Sequence, residues 1–257
     1  MTDFDLPCFL AELHDWTAAA AWPVRTLAYG PHPEQQADLR LPEGPGPHPV
    51  AVVLHGGFWR AAYTRANTAA IATDLARRGW ATWNVEYRRV GAGGGVPETL
   101  EDVVAAVAHL ETHDELDRDR MIALGHSAGG QLALWTAGTG AVAAAVSLGG
   151  VCDLAAASRL GVGDGAATDF AGGGPDARPE AYDLADPMRR LPTGVRQVLV
   201  HGTDDDRVPI ELSRRYAEAA RRAGDRCELV EVAGVGHFEP IDPRTHAWSR
   251  VLAALAG

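Results

Sequence analysis

The stretch MIALGHSAGG, residues 121–130, decides which fold the sequence predicts, because it joins a strand-like apolar run to a helix-like run through glycine, serine and glycine. Gly125 and Gly129 lack the Cβ atoms that would clash in a sharp turn between a strand and a helix. Such a turn exposes the hydroxyl of Ser127 and points the N-terminus of the helix at any anion that forms beside it. The spacing indicates a GxSxG nucleophile elbow; an ordinary glycine-rich turn or a phosphate-binding loop is the alternative.

Strand-like and helix-like patterns alternate along most of the chain. Buried strands are predicted at 50–56, 80–88, 120–125, 141–150, 196–202 and 226–232, and helices at 65–79, 99–113, 129–138, 210–224 and 243–257. Before residue 50, TLAYG and QADLRLP are typical of two antiparallel strands. The alternation predicts a single α/β domain over residues 1–257, with a mostly parallel central sheet and helices on both faces. In such a sheet, ligands bind beyond the carboxyl ends of the strands, where Ser127 is placed.

Residues 151–193 interrupt this alternation. The segment contains GVGDGAATDFAGGGPDARPE and shows no clear strand. An irregular insertion of this length is either a cap over a site or a surface excursion, and we expect a small cap or lid.

The composition narrows the classes of function. With 46% hydrophobic residues the 257-residue chain is globular, and its formal net charge of −11 argues against a nucleic-acid or anionic-membrane partner. All 23 basic residues are arginine, which excludes Schiff-base and Ser–Lys mechanisms. The cysteines, Cys8, Cys152 and Cys227, are scattered without a CxxC pair and indicate neither a disulfide framework nor a metal site.

No segment is typical of a secreted or membrane protein. The N-terminal MTDFDLPCFL lacks the basic region and long apolar run of a signal peptide, and no apolar stretch of about 18 residues occurs. We therefore expect a cytoplasmic protein that works on a small molecule, with no membrane partner. Whether it forms a homodimer stays open.

A serine nucleophile needs a base, and the base needs a carboxylate to orient it. His237 lies in the loop GVGHFEP after the last strand, from which it can reach the carboxyl edge of the sheet; His246, in the final helix, is the alternative. The loop HGTDDDRVP offers Asp204, Asp205 and Asp206, among which chemistry alone does not choose. Along the chain the serine comes first, then the aspartates and then the histidine, which is the order expected for a fold with a nucleophile elbow.

Five motifs together resemble the α/β-hydrolase superfamily, in particular its esterase branch that contains kynurenine formamidase-like (arylformamidase) enzymes. They are HGGFW at 55–59, VEYR at 85–88, GHSAGG at 125–130, HGTDDDRVP at 201–209 and GHFEP at 236–240. The resemblance implies an α/β-hydrolase fold and puts the acid of the pattern HGxxDxxVP at Asp205, with Asp206 as the alternative. Glu86, within VEYR, is expected to be structural and bonded to nearby backbone or arginine.

By the same resemblance, the backbone N–H groups of Gly57, Phe58 and Ala128 form an oxyanion hole, which stabilises the charge on an attacked carbonyl oxygen. Phe58 stands where related lipases have a further glycine; the change keeps the backbone donor and narrows the entrance. Phe58 and Trp59 are predicted to line the substrate pocket, the alternative for both being a place in the core.

The implied activity is that of a serine hydrolase. Ser127, with His237 as base and Asp205 as acid, is expected to cleave small acyl esters or arylformamides such as N-formylkynurenine through an acyl-enzyme, with no cofactor and no metal. Two other functions are possible alternatives: that of a prolyl-oligopeptidase-like peptidase and that of a non-catalytic ligand-binding relative. The first usually carries a large N-terminal propeller, for which the roughly 50 residues before the first core strand leave no room. The second typically lacks the nucleophile or the base.

Overall fold

One sheet organises residues 5–256, the part of the chain that the computed structural model describes. Its strands, in chain order, are β1 (Arg25–Ala28), β2 (Gln36–Arg40), β3 (His48–Leu54), β4 (Ala81–Val85), β5 (Leu116–His126), β6 (Ala144–Leu148), β7 (Arg196–Gly202) and β8 (Cys227–Val232). They lie in the order β1-β2-β4-β3-β5-β6-β7-β8. β1 and β2 are antiparallel, as are β2 and β4, and every other neighbouring pair is parallel. The predicted α/β class, with its antiparallel start, is confirmed.

Helices cover both faces of this sheet. They are α1 (Leu6–Ala20), α2 (Ala69–Arg77), α3 (Glu98–His109), α4 (Ala128–Ala137), α5 (Leu154–Leu160), α6 (Val162–Ala171), α7 (Pro179–Ala185), α8 (Ile210–Arg222) and α9 (His246–Ala256). On β3, Val50 and Val52 belong to the apolar cluster under α3 and α4, whereas Ala51 and Val53 belong to the cluster under α1, α2 and α9. A strand buried on both faces reads as a continuous apolar run, which is why β3 was predictable.

Helix α1 was not predicted, although its apolar residues have helical spacing. The Asp5 side chain accepts a hydrogen bond from the Cys8 N–H at 3.0 Å and caps the helix. Pro7 lies in the first turn, where the missing N–H has no partner to lose. Leu13 is buried against the core, and the ring of Phe9 lies 5.8 Å from that of Phe238.

The irregular structure predicted for residues 151–193 is wrong, because the segment contains α5, α6 and α7. Glycines with positive φ separate or kink these short helices, among them Gly161 (φ 68°), Gly163 (φ 63°) and Gly172 (φ 73°). Their frequency makes the segment resemble a loop in composition. The absence of a strand from it was predicted correctly. Its role as a cap stays a prediction.

Residues 1–4 and 257, the two ends of the predicted domain, lie outside the described residues. The first four residues of the N-terminal MTDFDLPCFL therefore lie outside them too. No helix within residues 5–256 combines the length and apolar character needed to cross a bilayer.

Candidate active site

Ser127 lies in a sharp turn between β5, which ends at His126, and α4, which begins at Ala128. Its backbone has φ 56° and ψ −118°, a conformation that L-residues rarely adopt. A Cβ atom on Gly125 would lie 2.0 Å from the carbonyl oxygen of Gly129, and one on Gly129 would lie 2.1 Å from that of Leu54. Both glycines are therefore required for α4 to approach the strands so closely. The surrounding packing holds the strained serine in place.

His237 and Asp205 form a buried pair beside this turn. Nδ1 of His237 lies 2.7 Å from Oδ2 of Asp205, and the two side chains are 3% and 1% exposed. Because a carboxylate only accepts hydrogen bonds, Nδ1 carries the proton, and Nε2 of the neutral ring has a free lone pair. That lone pair is what a general base requires.

The Asp205 carboxylate is also held on its other side. Oδ1 accepts hydrogen bonds from the backbone N–H groups of Arg207 at 2.9 Å and Val208 at 2.8 Å, and Nε2 of His201 lies 3.2 Å from Oδ2. Burial acts to raise the pKa of Asp205, but the bonds from His201 and His237 outweigh it and hold that pKa well below its ordinary value. Asp205 is therefore ionised at neutral pH.

The alternatives to these two residues lie elsewhere. The side chain of Asp206 is 67% exposed and contacts Arg207 at 3.4 Å. That of Asp204 accepts a hydrogen bond from the hydroxyl of Thr203 at 2.9 Å. His246 is exposed at the start of α9. Of the residues that the sequence offered as acid and base, the structure therefore pairs Asp205 with His237.

Backbone contacts bring the serine turn to the same edge of the sheet. Nε2 of His126, the residue before Ser127, donates to the carbonyl oxygen of His237 at 2.9 Å, and the two imidazole rings are 4.6 Å apart. Burial, followed by the nearby His237, lowers the pKa of His126 to about 3, so its ring is neutral. A Cβ on Gly149, which follows β6, would lie 3.1 Å from Oδ2 of Asp205.

Between the Ser127 hydroxyl and the His237 ring, both within the described chain, the structure shows no hydrogen bond. In ligand-free enzymes such contacts are often long and tighten only when substrate binds. The Asp205–His237 hydrogen bond is therefore present in the structure, whereas a Ser127–His237 hydrogen bond is not.

The loop after β3 lies against the serine turn. A Cβ on Gly56 would lie 2.9 Å from Cβ of Ser127, so only glycine allows this approach. Gly57 and Phe58 have φ of 106° and 54°. Within residues 5–256, the N–H groups of Gly57, Phe58 and Ala128 have no hydrogen-bond acceptor. These are the donors that the sequence predicts for an oxyanion hole.

Glu86 stabilises this loop through its hydrogen bonds and ion pairs, which confirms its predicted structural role. Its carboxylate is bonded to His55 Nε2 at 2.8 Å, to the N–H of Arg65 at 3.0 Å and to Nη1 of Arg89 at 2.8 Å. The hydroxyl of Tyr87 donates to the carbonyl oxygen of His55 at 2.7 Å. The histidine that begins HGGFW is thus tied to the strand beside it.

A small, mainly apolar cavity of about 70 Å³ opens next to His237. It is lined by Leu6, Leu10, Gly56, Gly57, Phe58, Tyr63, Asn67, His126, Arg207, His237, Phe238 and Ile241. Phe58 is in this lining, but Trp59 is not, and its prediction as a pocket residue is corrected. Trp59 is 1% exposed, stacks on Phe170 at 4.6 Å and donates to Oε1 of Gln131, so it belongs to the core.

Several residues around the site were missed. Leu6 and Leu10 come from α1, which was not predicted, and their helical spacing was the available signal. His201, the first residue of HGTDDDRVP, was not predicted as part of the site. Across the described part of the chain, histidine, cysteine and acidic side chains form no cluster of three that could hold a metal ion.

Comparison with known proteins gives related sequences and folds. Residues 58–253 match the prolyl oligopeptidase family. The chain is 24% identical over 249 residues to a probable isoprenylcysteine alpha-carbonyl methylesterase of Arabidopsis thaliana, covering 84% of this chain and 51% of the relative. It is 27% identical over 254 residues to the esterase LipC of Mycobacterium tuberculosis, covering 87% and 63%. The chain thus spans about half to two thirds of the length of these curated relatives.

A solved structure of a thermophilic esterase from the planctomycete Thermogutta terrifontis superposes with a TM-score of 0.74 at 25% identity, covering 91% of this chain and 90% of the other. The same esterase was solved with propionate and with butyrate bound. Since the family match takes in most of the chain, and the sheet and its neighbours are those of the α/β-hydrolase fold, the protein belongs to the prolyl oligopeptidase family.

Proposed function

We propose that the protein is a serine hydrolase that cleaves esters of short acyl groups through an acyl-enzyme. One observation carries the proposal, the buried Asp205–His237 pair at 2.7 Å on the sheet edge where the strained turn holds Ser127. A structural aspartate–histidine pair needs neither a serine in a rare backbone conformation nor a neighbouring loop with unsatisfied N–H groups.

In the proposed reaction, Oγ of Ser127 attacks the acyl carbon while Nε2 of His237 takes its proton. Asp205 stabilises the resulting imidazolium and keeps Nδ1 as a donor. The N–H groups of Gly57, Phe58 and Ala128 stabilise the oxyanion, each contributing on the order of 3 kcal/mol. His237 then protonates the leaving alcohol. Water, deprotonated by the same ring, cleaves the acyl-enzyme and restores the serine.

The cavity supports a small acyl substrate. Its volume of about 70 Å³ and the side chains of Leu10, Phe58 and Ile241 favour a short apolar group over a long chain. The relatives named as esterases, and the esterase solved with propionate and butyrate, support the same class.

Within this class, arylformamides such as N-formylkynurenine are the finer proposal. A formyl group is the smallest acyl group, and Phe58, Tyr63 and Phe238 offer aromatic surface to the leaving amine. The resemblance of HGGFW and GHSAGG to kynurenine formamidase-like enzymes supports this choice. Cytoplasmic location, cofactor-free catalysis and the oligomeric state stay predictions.

A prolyl peptidase is the second candidate, because the family match favours it. The small apolar cavity favours esters, since a peptide substrate needs room on both sides of the scissile bond. A proline-containing peptide p-nitroanilide, assayed beside p-nitrophenyl esters, separates the two candidates.

The first test is labelling with a fluorophosphonate probe, which reacts with an activated serine. We expect labelling of the wild type and of Ser249→Ala, which changes an exposed serine of α9, and no labelling of Ser127→Ala. Folded wild-type protein that stays unlabelled would refute the hydrolase and favour a ligand-binding role.

The second test compares p-nitrophenyl acetate, butyrate and octanoate with N-formylkynurenine. We expect kcat/KM to fall steeply beyond butyrate. A protein that hydrolyses the short esters and leaves N-formylkynurenine intact would retain the esterase proposal and reject the arylformamide.

A further inference from the structure

A second buried imidazole contacts the Asp205 carboxylate from the side away from the cavity. Oδ2 of Asp205, which accepts the bond from His237, also lies 3.2 Å from Nε2 of His201. His201 is the penultimate residue of β7 and is fully buried. The proposed reaction gives this ring no part.

The neighbours of His201 determine which of its nitrogens carries the proton. Nε2 lies 2.9 Å from the carbonyl oxygen of Val208 and 3.2 Å from Asp205. Both are acceptors, so Nε2 must be the donor. Nδ1 lies 2.7 Å from Oγ of Ser213 on α8, whose hydroxyl can donate to it. The Ser213 hydroxyl therefore stabilises the neutral tautomer that presents an N–H to the carboxylate.

We infer that His201 is a positioning residue for the proposed hydrolase, holding Asp205 in place through an Nε2–H that Val208 and Asp205 require and that the Ser213 hydroxyl supports from the other side of the ring. The inference rests on the proposed function of Ser127 and His237. Two backbone N–H groups bind Oδ1 of Asp205, and the Nε2–H of His201, which donates to the carbonyl oxygen of Val208 at 2.9 Å, also lies 3.2 Å from Oδ2. These contacts restrain the carboxylate against turning away from His237.

This arrangement also weakens the pull of Asp205 on the base. A carboxylate oxygen that faces two N–H groups shares its charge between them, so it stabilises the imidazolium of His237 less than an oxygen facing one such group does. Loss of the His201 N–H is therefore expected to let Asp205 stabilise the imidazolium more strongly, which moves the acidic limb of the pH–rate profile upward, while the geometry of the pair loosens.

Other ionisable groups near the two rings do not explain such a shift. His126, on β5, is neutral because burial lowers its pKa to about 3. Glu231, on β8, is bonded to Arg214 at 2.6 Å. Cys152, whose Sγ lies 3.5 Å from Oγ of Ser213, stays a thiol because burial raises its pKa to about 11.

The kinetic test compares His201→Leu, His201→Gln and Ser213→Ala with the wild type on p-nitrophenyl butyrate. In His201→Leu we expect kcat to fall about tenfold with KM almost unchanged, as for loss of one hydrogen bond to a charged group. The acidic limb of the kcat/KM profile should move up by about 0.5–1 pH unit. His201→Gln, which keeps an N–H near the position of Nε2, should restore most of kcat and return the limb.

Ser213→Ala should lower kcat about threefold and move the acidic limb in the same direction as His201→Leu does, since the ring remains but its Nδ1 loses a hydrogen-bond partner. Ser147→Ala is the matched control. Its hydroxyl is buried and lies 3.7 Å from the same Cys152 thiol, but it does not contact His201. We expect this variant to match the wild type. A purely structural role would lower thermal stability without moving the acidic limb.

A readout without turnover is the ¹⁵N NMR spectrum of histidine-labelled protein. The wild type should show Nε2 of His201 protonated and Nδ1 unprotonated, and Ser213→Ala should keep this tautomer while the Nδ1 resonance shifts, because Nδ1 has lost its hydrogen bond. A proton on Nδ1 in the wild type, a His201→Gln variant as slow as His201→Leu, or an unmoved limb in folded variants would overturn the inference. Wild type that resists the fluorophosphonate probe would instead overturn the proposed function, and with it the catalytic part of this role.

Discussion

Asp205→Asn is the sharpest test of the site, because the four donors around this side chain determine how an amide must sit. Oδ1 accepts from the backbone N–H groups of Arg207 and Val208, which cannot turn away. The amide oxygen of the asparagine must face these donors, so its NH₂ group faces His237. Nδ1 of His237 then has to accept, and its proton moves to Nε2.

The magnitude follows from this change of tautomer. With Nε2 protonated, His237 cannot take the proton of Ser127, and the loss matches the removal of a triad function, about 10³- to 10⁴-fold in kcat, or about 4–5.5 kcal/mol. His201 also faces this NH₂ group, but it keeps its proton on Nε2, because the carbonyl oxygen of Val208 still accepts from it at 2.9 Å. KM should change little, because Asp205 does not line the cavity.

The assay is hydrolysis of p-nitrophenyl butyrate together with the rate of fluorophosphonate labelling, on protein whose fold is checked by circular dichroism. Asp206→Asn is the control, since its side chain is 67% exposed and pairs with Arg207 at 3.4 Å. We expect that variant to retain at least half of the wild-type rate. The reasoning fails if Asp205→Asn stays within tenfold of the wild type, or if Asp206→Asn loses as much.

Three further predictions follow from the packing. Gly129→Ala should lower the free energy of unfolding by at least about 2 kcal/mol, because its Cβ would lie 2.1 Å from the backbone oxygen of Leu54 and the clash exceeds the gain in helix propensity. Leu10→Ala should raise the octanoate-to-butyrate ratio of kcat/KM about fivefold, since Leu10 lines the cavity. Burial raises the pKa of Asp186 to about 6 from 3.8, so the folded state binds its proton more tightly than the unfolded chain does. Stability from this group is present below pH 4 and is lost as pH rises through 6. Relative to Asp186→Asn, the wild type should therefore lose up to about 3 kcal/mol between pH 4 and 7.

Each of these has a control. Gly174→Ala introduces a Cβ with no atom within 4 Å and should leave stability unchanged in urea unfolding. Leu160→Ala removes a side chain that is 65% exposed on α5 and should not alter the ester ratio. For Asp186, urea unfolding at pH 4.5 and 7 measures the slope; an equal slope in Asp186→Asn contradicts the assigned cause.

The fold was predictable where one pattern dominated. The apolar run at 50–56 favours a buried strand and the Gly–Ser–Gly spacing at 125–129 favours a sharp strand-to-helix turn, and the strand–helix alternation then leaves few ways to arrange the sheet. The segment 151–193 was misjudged because its glycines lower helix propensity, while α6, the middle one of its three helices, packs on the loop after β3.

The site was predictable to the level of the motif and not beyond it. Asp204, Asp205 and Asp206 are chemically equal in the sequence, and only the turn of the backbone after β7 buries one of them against His237. Trp59 was misplaced for a similar reason. With φ near 55° at both Phe58 and Trp59, the loop turns one ring to the cavity and the other into the core, which local spacing does not reveal.

Because the Phe58 ring faces the cavity and the Trp59 ring faces the core, the segment 151–193 contacts the candidate site through both rings. Trp59 stacks on Phe170 of α6, and a Cβ on Gly163 of the same helix would lie 2.4 Å from the ring of Phe58. The insertion is therefore packed on the loop that carries two of the three proposed oxyanion donors. Since Phe58 holds a backbone angle that is unfavourable for a residue with a Cβ, this packing helps keep the N–H groups of the loop aimed at the serine turn. The helical segment thus sets the geometry of the proposed oxyanion hole, and differences in it between relatives should alter the rate of acyl transfer as well as the choice of substrate.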